Sequence, residues 1–277
     1  MSFKSRKLPR LVLVATFACI CSVQMRAQES AIPEIATDRP EVGLAPEIVP
    51  SGMLQMETGV GVGYTRTNYV ADFPESLARW GIGHRLELRA TSSNAVFDAN
   101  PDPGTKKIEF QDFAFGAKAG LSESGNVIPQ AVVASLSCPT GGDAYTSGSF
   151  DPSLILVWQQ KMRRGFVLTE NMGGVRTTVN DQRKIIWGTG VVLGHGVTNV
   201  MDAFLEYAPS LASGMSATHV VDGGFTYRTT PNSQVDMRVG YQHDGTGGKN
   251  LFSIGYSRRL DRLGLTTLFH GVSALAD

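Results

Sequence analysis

Gly52-Met53-Leu54-Gln55-Met56-Glu57-Thr58-Gly59-Val60-Gly61-Val62-Gly63-Tyr64 is the stretch that decides the fold. Leu54, Met56, Val60, Val62 and Tyr64 fall on one face, and Gln55, Glu57, Gly59, Gly61 and Gly63 on the other. Side chains alternate across a strand, so this period of two reads as a β-strand with one apolar face. The three glycines on the polar face are useless to a solvated surface but leave room in a crowded interior.

The same alternation recurs outward from this segment. Ala78, Trp80 and Ile82 lead through Gly83-His84 to Leu86, Leu88 and Ala90, with Arg79, Arg85, Glu87 and Arg89 opposite. Phe113, Phe115, Ala117 and Leu121 alternate with Asp112, Gly116, Lys118 and Gly120. Further on, Ala203, Leu205 and Tyr207 face away from Asp202 and Glu206, and Val221, Phe225 and Tyr227 from Asp222 and Arg228. Val235, Met237, Val239 and Tyr241 oppose Asp236, Arg238 and Gln242, and Phe252, Ile254 and Tyr256 close the series. Weaker patterns cover 127–137, 153–161, 166–177 and 184–194, with Glu170 out of phase in one of them. The count is about 12 strands, centred near residues 59, 78, 88, 115, 132, 157, 171, 189, 204, 224, 238 and 254. Short turns at 122–126, 162–165, 194–199 and 230–233 alternate with longer connections at 65–72, 94–106, 139–151, 178–183, 209–218 and 244–249. No stretch reads as an amphipathic helix. The 31 glycines in 277 residues also argue against a helical fold.

Alternation alone does not say which face is buried. Glycine-rich polar faces, strands of about 9–11 residues, and aromatic residues near strand ends (Tyr64, Trp80, Phe113, Trp158, Trp187, Tyr207, Tyr227, Tyr241, Tyr256) favour lipid on the apolar side. The fold class is therefore all-β: an antiparallel up-and-down transmembrane β-barrel of about 12 strands. Its closure satisfies every wall N–H and C=O without water. The polar faces then line a lumen. Arg79, Arg85, Arg89, Lys118, Arg228 and Arg238 stand there against Glu57, Glu87, Asp112, Asp202, Glu206, Asp222 and Asp236. Near-equal numbers predict a mutually paired lattice, since buried charges persist when paired. The residues expected to line the narrow region and set its selectivity are Arg79, Arg85, Glu87, Arg89, Asp112, Glu206, Asp222, Arg228, Asp236 and Arg238.

The two ends of the chain read differently. Lys4, Arg6, Lys7 and Arg10 precede an apolar run, Leu11–Val23, and then Gln24-Met25-Arg26-Ala27, the pattern of a signal peptide over 1–27. The formal charge is zero, from 25 basic and 25 acidic residues, but the leader carries five basic and no acidic ones. The remainder is acidic by five, which gives no basic footprint for nucleic acid. Residues 28–51, with Pro33, Pro40, Pro46 and Pro50, form an irregular segment ahead of the barrel at 52–260. If that segment enters the lumen, Asp38 and Arg39 join the charge lattice. A tail at 261–277 follows, in which Leu265, Thr267 and Phe269 could form a partial strand.

Thr37-Asp38-Arg39-Pro40, Val49-Pro50-Ser51-Gly52 and Leu54-Gln55-Met56-Glu57-Thr58-Gly59 together resemble the opening of the phenol-degradation meta-pathway family of bacterial outer-membrane proteins. Trp80-Gly81 with Leu86-Glu87-Leu88-Arg89, and Cys138-Pro139-Thr140-Gly141, are similar to its early strands and its strand-end Pro-Thr-Gly. Glu206-Tyr207, Asp222-Gly223-Gly224, Thr226-Tyr227, Pro231-Asn232 and Val235-Asp236 through Gly240 are similar to its closing strands. The resemblance implies an outer-membrane transporter, with a link to aromatic compounds carried by the family's name.

The expected role is a passive channel for small solutes, partnered by the outer-membrane bilayer and the barrel-assembly machinery, with no cofactor and no metal. A structural or adhesion barrel plugged by its own charges is the alternative. A barrel enzyme is a third class, needing a Ser or Asp beside a rim His. His84, His195, His219, His243 and His270 are scattered without such a motif. Gly59–Gly63 lies within a strand and Gly245–Asn250 lacks phosphate-loop spacing, so neither is a nucleotide site. After the leader, Cys138 is the one cysteine, which excludes a disulfide framework within the chain.

Overall fold

A computed structural model describes residues 32–40, 42–101, 103, 107–122 and 128–260. The signal peptide expected at 1–27, the tail with its expected partial strand, and His270 lie outside the described residues. Grouped by internal contacts, the chain divides after Pro33, and the unit that begins at Glu34 holds all the strands.

Fifteen strand segments form a single antiparallel sheet. They are β1 (Leu54–Tyr64), β2 (Tyr69–Phe73), β3 (Leu77–Gly81), β4 (Leu86–Thr91), β5 (Ala95–Asp98), β6 (Ile108–Phe110), β7 (Phe113–Gly120) and β8 (Ala131–Cys138). The second half comprises β9 (Asp151–Lys161), β10 (Phe166–Val179), β11 (Gln182–Gly196), β12 (Met201–Ala212), β13 (Thr218–Thr230), β14 (Ser233–His243) and β15 (Gly248–Leu260). The last strand pairs with the first, from Leu54 opposite Leu260 to Tyr64 opposite Asn250, and the sheet closes on itself.

Six of the segments are halves of three interrupted strands. Both β2 and β3 pair with β1, one with Gly61–Tyr64 and the other with Leu54–Glu57. In turn β5 pairs with β2 while β4 pairs with β3, and β6 pairs with β5 while β7 pairs with β4. The wall is therefore a 12-strand cylinder. The interruptions at 74–76, 92–94 and 111–112 lie side by side. Pro74 cannot donate to a ladder. The gap is bridged by isolated backbone bonds, Glu75 N to Gly59 O at 2.9 Å, Ser92 N to Ser76 O at 3.0 Å and Gln111 N to Asn94 O at 2.8 Å, with Gln111 Nε2 donating to Asp72 Oδ2 at 3.0 Å beside them.

The expected strand centres all fall within wall strands, while several connections are shorter than the alternation predicts. The stretch 178–183 is a two-residue tip, Asn180–Asp181, both with positive φ, as a tight hairpin requires. The stretches 65–72 and 94–106 contain β2 and β5. Apolar alternation fades there because these segments are only five and four residues long.

The faces are assigned as the charges require. Met56, Val60 and Tyr64 are exposed outside, whereas Gln55 and Glu57 on the other face of β1 are buried. Phe113, Trp187, Tyr207, Tyr227, Tyr241 and Tyr256 stand on the exposed exterior. The largest fully buried side chains are led by Arg79, Lys118, Gln55, Glu57, Glu87 and Glu206. A barrel apolar outside and charged inside is inverted relative to a water-soluble protein.

Candidate functional site

The charged interior is occupied by the chain's own N-terminal segment. Ile35 N donates to Pro231 O at the end of the barrel where the chain enters, and Gly52 N to Gly81 O where the segment leads into β1. Between them the described residues form neither helix nor strand. A buried backbone without a ladder must find other partners, and wall carboxylates supply them. Glu57 Oε2 accepts from Asp38 N at 3.0 Å and Arg39 N at 3.2 Å. Glu206 accepts from Val42 N at 2.8 Å and Gly43 N at 2.7 Å, and Glu87 from Val49 N at 2.9 Å. Asn171 binds Leu44 on both sides, accepting its N–H at 2.7 Å and donating to its carbonyl at 3.2 Å. Lys118 Nζ donates to Ala45 O at 2.8 Å, and Arg79 Nη2 to Glu47 O at 2.8 Å.

Asp38 is the hub. Its carboxylate takes Arg89 Nη1 at 2.5 Å and Lys118 Nζ at 3.0 Å, and lies 3.7 Å from Arg79 Nη1. Arg79 in turn reaches Glu57 and Glu87, each at 2.9 Å. Three cations thus meet three carboxylates, a neutral cluster in which the plug contributes one member. Burial alone would raise the Asp38 carboxyl, but Arg79, Lys118 and Arg89 outweigh it and hold it far below the ordinary carboxylate range.

Arg39 makes the second anchor. Its Nη1 meets Glu75 at 2.5 Å, and its Nη2 meets Ser253 Oγ at 2.8 Å and Asp236 at 3.5 Å. The glycines of the polar face explain themselves here. A Cβ at Gly59 or Gly255 would land on the Arg39 guanidinium. These positions are empty because the plug fills them.

The ten residues expected at the narrow region separate into groups. Arg79, Glu87 and Arg89 belong to the Asp38 cluster, and Asp236 to the Arg39 anchor. Glu206 holds the plug, and its cross-strand partner Asp222 is buried with Arg238 as its nearest cation at 3.8 Å. The other three stand elsewhere. Arg85 is exposed in the turn between β3 and β4. Arg228 pairs with Asp202 at 2.5 Å and Glu34 at 3.1 Å, near the end where the chain enters. Asp112 lies in the wall interruption, where it accepts from Thr140 N at 3.0 Å and Gly141 N at 2.8 Å, pinning the loop after β8. Arg85 and Asp112 lie outside the strands, where the phase of the alternation no longer sets direction, whereas Arg228 keeps the inward phase of β13 but stands at its end. Glu75 and Asn171 were missing from the sequence-based lattice. Glu75 follows the Pro74 break and carries no periodic signal, and Asn171 is neutral.

Beside the plug a cavity of about 450 Å³ remains, lined by Val42 and Gly43 of the segment and by Ile155, Gly173, Gly188, Ser210 and Val220 of the wall. No charged side chain lines it. Elsewhere, His195 stacks on Phe166, and His219 Nδ1 lies 2.8 Å from the Tyr207 hydroxyl. Among the described residues no group of three His, Cys, Asp or Glu could hold a metal ion.

Comparison with solved structures gives an outer membrane channel from Pseudomonas putida F1, at 13% identity and TM-score 0.54, covering 79% of this chain and all of that one. The KdgM porin (8% identity, TM-score 0.49, 74% of this chain and 98% of that one) and the CymD monoaromatic hydrocarbon channel (9%, 0.43, 76% and 89%) also match. At these identities the likeness concerns the fold. No curated protein matches the chain. A family profile described as "Putative MetA-pathway of phenol degradation" matches residues 37–260, the whole cylinder together with most of the plug, and the chain belongs to that family.

Proposed function

We propose that this protein is an outer-membrane channel that passes small solutes passively, aromatic compounds included, with the segment ahead of β1 as its gate. The observation that carries this reading is a closed cylinder, apolar outside, whose interior is charged yet keeps an uncharged cavity beside a plug that belongs to no strand of the wall. A structural barrel would gain nothing from leaving that space unfilled. The plug contacts the wall through hydrogen bonds and ion pairs, which water can replace when the segment withdraws. The lattice braces the closed state, and the uncharged lining favours neutral solutes over ions. The signal peptide read at 1–27 supports export, and the apolar exterior supports residence in the outer membrane. No chemical step is assigned: among the described residues His195 and His219 lie against Phe166 and Tyr207, His84 stands in a turn and His243 ends β14, each apart from the others' partners.

Liposome swelling with neutral and charged solutes of equal size tests the reading. Faster entry of the neutral solute supports it, and equal exclusion of both overturns it. The structural alternative rests on the number of hydrogen bonds and ion pairs that hold the plug to the wall, and gains if removing the plug admits no solute.

A further inference from the structure

A second cavity, of about 290 Å³, lies toward the end of the barrel away from the chain's entry, between β1, β2, β14 and β15. Asp72, Glu75, Gln111, Tyr145, Arg238 and Lys249 line it. It holds both signs of charge, unlike the cavity beside Gly188.

Its cations are underused. The Arg238 side chain is 16% exposed, and among the described residues its one ion-pair neighbour is Asp222 at 3.8 Å, beyond hydrogen-bonding distance. Its Nε is buried without an acceptor. Lys249 is laid along Gly63, with Cδ 3.2 Å from where a Cβ would stand, and among the described residues no hydrogen bond or ion pair holds it. Across the cavity Asp72 Oδ2 accepts from Gln111, while Oδ1 is buried without a donor. Glu75 is already engaged by Arg39. Buried groups left in this state are costly, more so when charged.

We propose that this cavity binds a small zwitterion, its carboxylate received by Arg238 and Lys249 and its ammonium by Asp72. A guanidinium matches a carboxylate bidentately. A simple anion would also face Asp72 and Glu75, and a simple cation would face Arg238 and Lys249. A molecule with both charges meets neither repulsion. The space equals that of roughly ten waters at about 30 Å³ each, enough for an amino acid. Tyr145 adds a donor. Burial, with Asp98, Glu109 and Asp72, pushes its hydroxyl up, so it stays protonated.

This site is separate from the solute path proposed above, and binding can be measured whether or not the barrel conducts. The test is calorimetric titration of the folded full-length chain in detergent, at neutral pH and low salt. The probes are the ω-amino acids from glycine to 6-aminohexanoate, with the carboxylic acids and alkylamines of matching length. Saturable binding of at least one amino acid, tenfold or more tighter than either matching probe, is expected. R238Q and D72N should each weaken it at least tenfold, and K249Q is the second variant on the cationic side. Each variant is checked for the heat-dependent gel shift of a folded barrel. Absence of saturable binding by any amino acid overturns the proposal, as does a plain carboxylate binding equally well with D72N without effect.

Discussion

Replacing Asp38 by Asn removes the one negative charge that the plug contributes to its main anchor. Arg79, Arg89 and Lys118 would then face only Glu57 and Glu87, leaving an uncompensated cation in a buried cluster. Breaking a buried pair in this way costs about 3–5 kcal/mol. The amide oxygen can still accept one of the hydrogen bonds from Arg89, Lys118 or Ala45, so the lower figure applies. About 3 kcal/mol is roughly 150-fold in an equilibrium. Because Asp38 belongs to the plug and its partners to the wall, the loss falls on docking of the segment, not on closure of the cylinder. Single-barrel recording in planar bilayers reads it as a rise in open fraction of about two orders of magnitude. The double variant D38N/R89Q restores charge balance and should recover part of the closure, a coupling that isolates the pair. An unchanged open fraction in D38N, with the barrel folded, would refute the reasoning.

Three further perturbations test other parts of the account. Asp38's depressed pKa means that its contribution is fully present above the ordinary carboxylate range and is lost only as pH falls through the folded value. Acidification from pH 7 to about 4 should therefore leave the D38-dependent closure unchanged, and opening that tracks this range and disappears in D38N would contradict it. Gly188→Phe points a ring into the uncharged cavity from a position whose Cβ meets nothing closer than 4.0 Å; liposome swelling should slow several-fold for neutral solutes while stability holds. Val239→Arg places a charge at the middle of the exposed exterior of β14 and should cost about 2–4 kcal/mol in denaturant titration in lipid, whereas a neutral result would mean that face does not meet hydrocarbon.

The cylinder was legible because its walls obey a period of two over most of their length, so strand centres and inward faces follow from local pattern. Leu54–Tyr64 and Ser233–His243 show this most plainly. The short segments β2, β5 and β6 were not, since three to five residues bounded by Pro74, Ser92–Asn94 and Gln111–Asp112 carry too little alternation to count. The lumen charges could be named but not grouped. Glu206 meets Val42 and Gly43 from 164 and 163 residues away, a pairing that no local pattern encodes. Asp38 and Arg39 join the lattice if the segment enters the lumen, and it does. Arg85 and Asp112 share the inward phase but stand in a turn and at the wall interruption, where phase no longer sets direction, and Arg228 keeps its inward phase but sits too near the end of β13 to reach the main cluster.

The central claim is that the segment ahead of β1 closes the lumen and that its withdrawal opens a path. Single-channel conductance of the full chain beside a chain lacking residues 28–51 tests this most directly, with the heat-dependent gel shift confirming that both barrels are folded. The account predicts rare, brief openings in the full chain and sustained conductance after the deletion. A folded deletion variant that conducts no more than the full chain would contradict it.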